Sequence, residues 1–360
     1  MRIIGAMMRR QVVCLAPLLL SAALYRCVGT NPDLPGEDAD TAADGTVDVD
    51  ADADAAALDA VTLDADVTDS MDAGPPVRCD PMGRFTTVQP VAGVNTLNRE
   101  RSVHLTDDEL TIFFSRANLL GDGGAPPIGS FDIYKATRPS RTDPFGPTQL
   151  VTALNSGGSD QALSLDPAGG VAYFIREADR HVFPDGGANP NHGVYVARVS
   201  TLQGFTDVSR STINFSSNFL GGVSAGQVSR DIYYASHQHI FLLSWDSTNN
   251  VFRPARLLEP IADASVINQP YTGLRGYQGA PMLSRDETAL YFTRTDPTNG
   301  VHVAFKGASQ AFSSVRRLTE IEPVGVNNSG PWISADQCRL YFSSDRTGND
   351  DLYVATRAPL

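Results

Sequence analysis

One phrase recurs five times after residue 78, and it constrains the fold more than any other feature of the chain. It is cleanest at Pro331-Trp332-Ile333-Ser334-Ala335-Asp336, where apolar residues run into a Ser-x-Asp turn. An alternating stretch then ends on Tyr341-Phe342, and after a polar loop a second one closes at Leu352-Tyr353-Val354-Ala355. The aromatic pair also stands at Phe113-Phe114, Tyr173-Phe174, Tyr233-Tyr234 and Tyr291-Phe292, giving intervals of 60, 60, 58 and 50 residues. A single phenylalanine keeps the same beat: Phe85, Phe145, Phe205, Phe252 and Phe312. Each is followed eight or nine residues later by an aliphatic residue, Val94, Leu154, Ile213, Ile261 or Ile321. Three signals in phase define a repeat.

Period-two alternation with β-branched and aromatic residues predicts four short strands per copy, and no helical period is evident after residue 80. Strand A precedes the turn and B carries the aromatic pair. C is the Ile-Tyr type, as in Phe131 to Arg138 and Val194 to Arg198, and D begins at the phenylalanine. Four-stranded units of this length stack radially as blades of an all-β propeller, burying both faces of each sheet. The body opens on a D-type segment, Phe85 to Val94, while residues 329–356 supply A, B and C with no D after them. The expectation is a five-bladed ring in which the first segment completes the last blade and removes two open sheet edges. Cys79 and Cys338 then fall at one end of the same sheet. Either they form a disulfide that pins the closure, as suits an exported chain, or they stay two free thiols.

Ser334-Ala335-Asp336, Leu340-Tyr341-Phe342 and Leu352-Tyr353-Val354 together resemble the TolB-type, WD-like propeller repeat. Its core is a Ser-Pro-Asp-Gly turn followed by an aliphatic residue, an aromatic and Phe. Five copies cover residues 79–360. Ser284-Arg285-Asp286 and Thr106-Asp107-Asp108 match in position, and the copies at Ser164 and Ser224 have a turn two residues longer. The resemblance implies a propeller in the envelope of a Gram-negative bacterium. It does not extend to TolB's α/β domain or six blades, and it carries over no partner.

The first 77 residues read differently. Arg2, Arg9 and Arg10 precede an apolar run from Val12 to Tyr25, too short for a comfortable membrane span, so residues 1–29 read as an export signal. Cys27 sits where a bacterial lipoprotein signal places its lipidated cysteine. Leu24 fits that box, Tyr25 and Arg26 do not, and an ordinary signal peptide cut after Gly29 is the alternative. Residues 30–77 hold thirteen Asp, one Glu and no Lys, Arg or aromatic residue. Such a segment cannot bury enough apolar surface to fold and reads as an extended tether. Its Asp48-x-Asp50-x-Asp52-x-Asp54 run lacks the glycine turn and closing carboxylate of a calcium loop. The formal charge of −13 belongs to the tether, since residues 78–360 carry 24 basic and 27 acidic side chains. A nearly neutral body without a basic stripe argues against nucleic acid as a partner.

A ligand on such a ring is expected at the mouth reached by the connections into A and from B to C. Two of the latter, residues 116–130 and 176–192, are long and rich in Gly, Pro and Asp. Arg101, Asp160, Asn218, Gln278 and Asn328 lead into the five A strands. Together they would suit a sugar, a peptide terminus or another small polar ligand, or would simply solvate the opening. No catalytic residue, metal or cofactor is expected. Gly222-Val223-Ser224-Ala225-Gly226 spells the Gly-x-Ser-x-Gly elbow, but inside an all-β repeat rather than at a strand-to-helix turn. His237-x-His239 is half a zinc site at most, His104 reads as lining the channel, and Asp108, Asp286 and Asp336 recur as Asx-type turns.

The sequence is thus read as a monomeric, non-enzymatic recognition scaffold that meets the membrane only through a lipid anchor. It would work in the periplasm or at the cell surface and bind an envelope protein or a glycan. The alternatives are a five-bladed carbohydrate-active hydrolase using Asp160 with a second acid, or a purely structural envelope component.

Overall fold

The computed structural model describes residues 78–117, 131–166, 170–177, 193–201, 204–211, 220–236, 239–258, 278–295, 299–307 and 311–360. The expected signal and tether lie outside them. A short strand β1 (Thr87–Pro90) comes first, then blade 1: β2 (Glu100–Leu105), β3 (Thr111–Ala117), β4 (Phe131–Thr137) and β5 (Gln149–Leu150). Blade 2 is β6 (Ser159–Asp166), β7 (Val171–Glu177), β8 (Gly193–Thr201) and β9 (Gly204–Arg210). Blade 3 is β10 (Leu220–Ala225), β11 (Ile232–Ser236), β12 (His239–Leu243) and, outermost, β15 (Arg256–Leu257). Between its last two strands a small hairpin intervenes, β13 (Trp245–Asp246) with β14 (Val251–Phe252). The expected D segment at Phe252 is therefore split, its phenylalanine packing on Trp245 at 4.9 Å while the ladder begins at Arg256. Blade 4 is β16 (Gln278–Leu283), β17 (Ala289–Thr295), β18 (Asn299–Lys306) and β19 (Phe312–Arg317).

Blade 5 consists of β20 (Asn328–Ile333), β21 (Arg339–Ser344), β22 (Asp351–Thr356) and, as its outer strand, β1. Thr87 lies opposite Thr356 and Pro90 opposite Tyr353, so the ring is sealed by its own beginning. Cys79 and Cys338 form a disulfide with Cα atoms 5.1 Å apart. The Arg357 guanidinium lies over the Phe85 ring at 4.6 Å and donates to the Pro81 carbonyl at 2.7 Å. Arg138 over Phe145 and Lys306 over Phe312 repeat that packing, which shows Phe85 filling the D-strand position of blade 5. The innermost strands touch in the order β2, β6, β10, β16, β20 and back to β2, closing a five-bladed propeller around a channel.

The aromatic pair has a simple cause. Neighbouring residues on a strand point to opposite faces, so each pair feeds two blade interfaces. Phe113 packs against blade 2 with Leu163 and Phe174, while Phe114 packs against blade 5 with Trp332 and Tyr341. Five such apolar clusters fill the five interfaces. Emptying one of these aromatic positions costs about 3–5 kcal/mol in a packed core.

Every innermost strand also carries one β-bulge, at a residue with positive φ: Ser102 (53°), Ala162 (56°), Gly222 (128°), Ala280 (47°) and Gly330 (59°). These residues are small because blades meet there. A Cβ on Gly222 would sit 2.9 Å from Ala280 Cα. The bulges are also fastened across blades: Ser115 Oγ accepts from the Ala162 amide at 3.2 Å, and Thr293 Oγ1 from the Gly330 amide at 3.0 Å. A bulge shifts the alternation by one residue, and this brings His104, Ser164, Ser224, Met282 and Trp332 to equivalent places along the channel.

Candidate functional site

At the loop end of the channel, where the chain enters strand A, Asp160 has no solvent exposure. Its carboxylate accepts from the Ser156 amide and hydroxyl, both at 2.7 Å, and from Arg176 Nε at 2.6 Å. Arg176 stacks over Tyr195 at 4.6 Å and also donates to the Leu154 carbonyl at 3.0 Å. Blade 1 repeats the arrangement with Glu100. That carboxylate accepts from the Thr96 hydroxyl at 2.6 Å and Arg116 Nε at 2.8 Å, and Arg116 stacks over Tyr134 at 4.8 Å and donates to the Val94 carbonyl. Burial pushes the Glu100 carboxyl upward, opposed by the bonds from Thr96 and Arg116. In blade 5 the Arg346 guanidinium lies over Tyr353 at 4.3 Å and donates to the Ile321 carbonyl and to Asn328 Oδ1. Each latch ties the connection leading into a blade to that blade's own B and C strands.

The five residues singled out at this end therefore have different fates. Asp160 and Asn328 are fully buried in latches. Arg101 lies one position past the latch residue Glu100 and pairs with Asp350 of blade 5 through Nε at 2.7 Å. Gln278 holds the equivalent strand position, opposite Arg294, and Asn218 lies outside the described residues. Glu100 escaped the sequence reading, although its spacing was visible. Thr96-x₃-Glu100 with Arg116 has the same intervals as Ser156-x₃-Asp160 with Arg176. Asp132 is the acid that feels Asp160: burial first and that charge second push its carboxyl upward. Both oxygens of Asp160 are already bonded, one to Arg176 and the other to Ser156.

The turn end is different. A cavity of about 250 Å³ occupies the channel where the A strands run into their turns, with lining from all five blades. His104, Ser164, Ser224, Met282 and Trp332 form its floor, and Asp107 and Arg285 stand at its rim. Arg285 of blade 4 reaches Asp107 of blade 1 at 2.9 Å, passing the turn of blade 5, where the equivalent residue is only Ala335. The floor is neutral. Burial lowers the His104 pKa to about 3, and its Nε2 accepts from the Leu165 amide at 3.2 Å, which leaves the ring proton on Nδ1. Ser224 Oγ accepts from the Leu283 amide at 3.0 Å. Among the described residues no hydrogen bond joins His104 to a cavity hydroxyl.

The turns around the rim are structural. Asp108, Asp286 and Asp336 each accept from the hydroxyl two residues before and the amide two residues after. The next residue in each turn, at positive φ, reaches the preceding blade: Glu109 to Arg339 and Tyr341, Glu287 to the Val228 and Ser229 amides, Gln337 to Asp286. Among the described residues no three His, Cys, Asp or Glu side chains are placed to hold a metal ion. His237 of the noted histidine pair lies outside the described residues.

The sequence matches no protein-family model and no curated protein. Among solved structures, TolB from Acinetobacter baumannii is similar at 15% identity over 79% of this chain, with a TM-score of 0.42. This chain covers 63% of that TolB's length, less than two thirds. An α-L-arabinofuranosidase from Podospora anserina, solved in complex with cellotriose, is similar at 10% identity over 78% of this chain and 99% of its own, TM-score 0.47. A luciferin-regenerating enzyme is similar at 11% identity over 79% and 96%, TM-score 0.40.

Proposed function

We propose that this chain is a non-catalytic recognition propeller of the bacterial envelope, anchored through Cys27, which receives its ligand at the turn end of the channel. The observation that carries this reading is the cavity to which all five blades contribute, because its candidate reactive groups are tied down by backbone amides. A neutral histidine whose free nitrogen is an N–H donor, and a serine across the channel that already accepts a bond, bind better than they react. The export signal, the acidic tether and the TolB-like repeat support the envelope setting.

The test is retention of an envelope protein or glycan by the full exported chain, compared with Ala335→Trp, which fills the rim without entering an interblade core. Retention by the parent and loss in the variant is the expected result. Equal retention by both overturns the site, and glycan hydrolysis abolished by Asp160→Asn or Ser224→Ala overturns the non-catalytic reading. The mass of the exported form tests the anchor: diacylglycerol on an amino-terminal Cys27 is expected, and an unmodified chain beginning at Thr30 refutes it.

A further inference from the structure

Building on the recognition reading, we infer that the turn-end cavity takes one uncharged sugar ring. Size sets the first limit. On the scale by which a ~150 Å³ cavity takes benzene, 250 Å³ takes about ten non-hydrogen atoms, a single pentose or hexose.

The bonding groups of the floor set the second. Ser164, His104 and Trp332 are 4%, 8% and 2% exposed, and the Ser164 hydroxyl, the His104 Nδ1–H and the Trp332 indole N–H have no hydrogen-bond partner among the described residues. Ser224 uses its oxygen as an acceptor and keeps its hydrogen to donate. Four donors on this floor have no protein acceptor among the described residues, so the occupant must bring acceptor atoms such as oxygen. A purely apolar ring would leave these donors unsatisfied.

Charge sets the third limit. The floor holds no cation, and the Arg285 guanidinium at the rim is already paired with Asp107, next to Asp108. An anion would meet the Asp107 and Asp108 carboxylates at the opening with no cation on the floor to pair it, and a cation would meet a floor of donors. An uncharged ring leaves the rim pair intact. The half-buried side chains of Met282 and Leu165 offer the apolar wall against which the C–H face of a sugar packs. A closed ring also loses less conformational freedom on binding than an open-chain polyol.

The experiment titrates the full exported chain with neutral methyl pentosides and hexosides, the matching uronic acids and amino sugars, and cyclohexylmethanol, by saturation-transfer NMR and calorimetry. At least one neutral glycoside is expected to bind, about tenfold or more tighter than its charged counterparts. Ser164→Ala should weaken it by about threefold to tenfold without shifting the melting temperature, and Ala335→Trp should abolish it. Ser224→Ala should weaken it while also lowering the melting temperature, because the Leu283 amide loses its acceptor. Equal or tighter binding of a charged sugar or of cyclohexylmethanol overturns the inference, as does the absence of any neutral-sugar signal. If no sugar binds while an envelope partner is still lost in Ala335→Trp, the ligand class falls and the recognition reading stands. If the partner is also unaffected, both fall.

Discussion

At the loop end, Glu100 and Asp160 each collect a hydroxyl, an amide and an arginine, and that arginine caps two aromatic rings of the same blade. A few residues along the same strands, at the turn end, the Ser164 hydroxyl and the His104 Nδ1–H face a cavity with no protein partner among the described residues. The repeat is the same; the difference is what lies across the ladder. Arginine opposite the latch position closes one end upon itself, whereas the bulge turns short polar side chains inward at the other. A propeller can thus separate the groups that hold its blades from those that meet a ligand.

That contrast can be broken by mutation. Arg116→Ala leaves Glu100 buried and unpaired and should cost about 3–5 kcal/mol in urea unfolding, with Arg176→Ala similar. Loss of the ring closure ranks next: Cys338→Ser should cost about 2–5 kcal/mol, and the same loss should follow reduction of the parent. His104 then gives a pH signature. Its folded pKa of about 3 lies below the ordinary 6.5, so the unfolded chain binds the extra proton between those values. The stability it contributes is complete above about pH 6.5 and is lost as pH falls towards 3, at up to about 1.4 kcal/mol per pH unit. His104→Gln should remove that part of the acid slope from a series of melting curves. The smallest effect belongs to Ser164→Ala, within about 0.5 kcal/mol of the parent in stability. If Ser164→Ala destabilises as much as Arg116→Ala, the two ends are not different in kind.

Much of the fold was legible in the sequence because it depends on periodicity. The aromatic pairs mark strands buried on both faces, and the unpaired D segment at Phe85 implied closure onto the sheet containing Tyr353. The disulfide followed from that placement. The site was harder to read for two physical reasons. Polar residues leading into strand A look alike whether they face solvent or a guanidinium, and only the register, Asp160 opposite Arg176, distinguishes them. The cavity floor depends on the bulges, and three of the five bulged residues are Ser or Ala, whose positive φ leaves no mark in a sequence. Alternation counted straight through Ser102 assigns His104 without revealing that its neighbours across the channel are Ser164 and Ser224.

The closing strand has a consequence for biogenesis. Thr86 finds its backbone partner, Thr356, 270 residues further along the chain. A polypeptide synthesised amino end first must therefore hold β1 in waiting until the last blade has been made. Contacts of such long range make folding slow and leave an unfinished rim open to mispairing. Four residues of strand ending at Pro90 are a poor template for a stray chain, so the segment that waits longest is also among the least able to pair with the wrong neighbour.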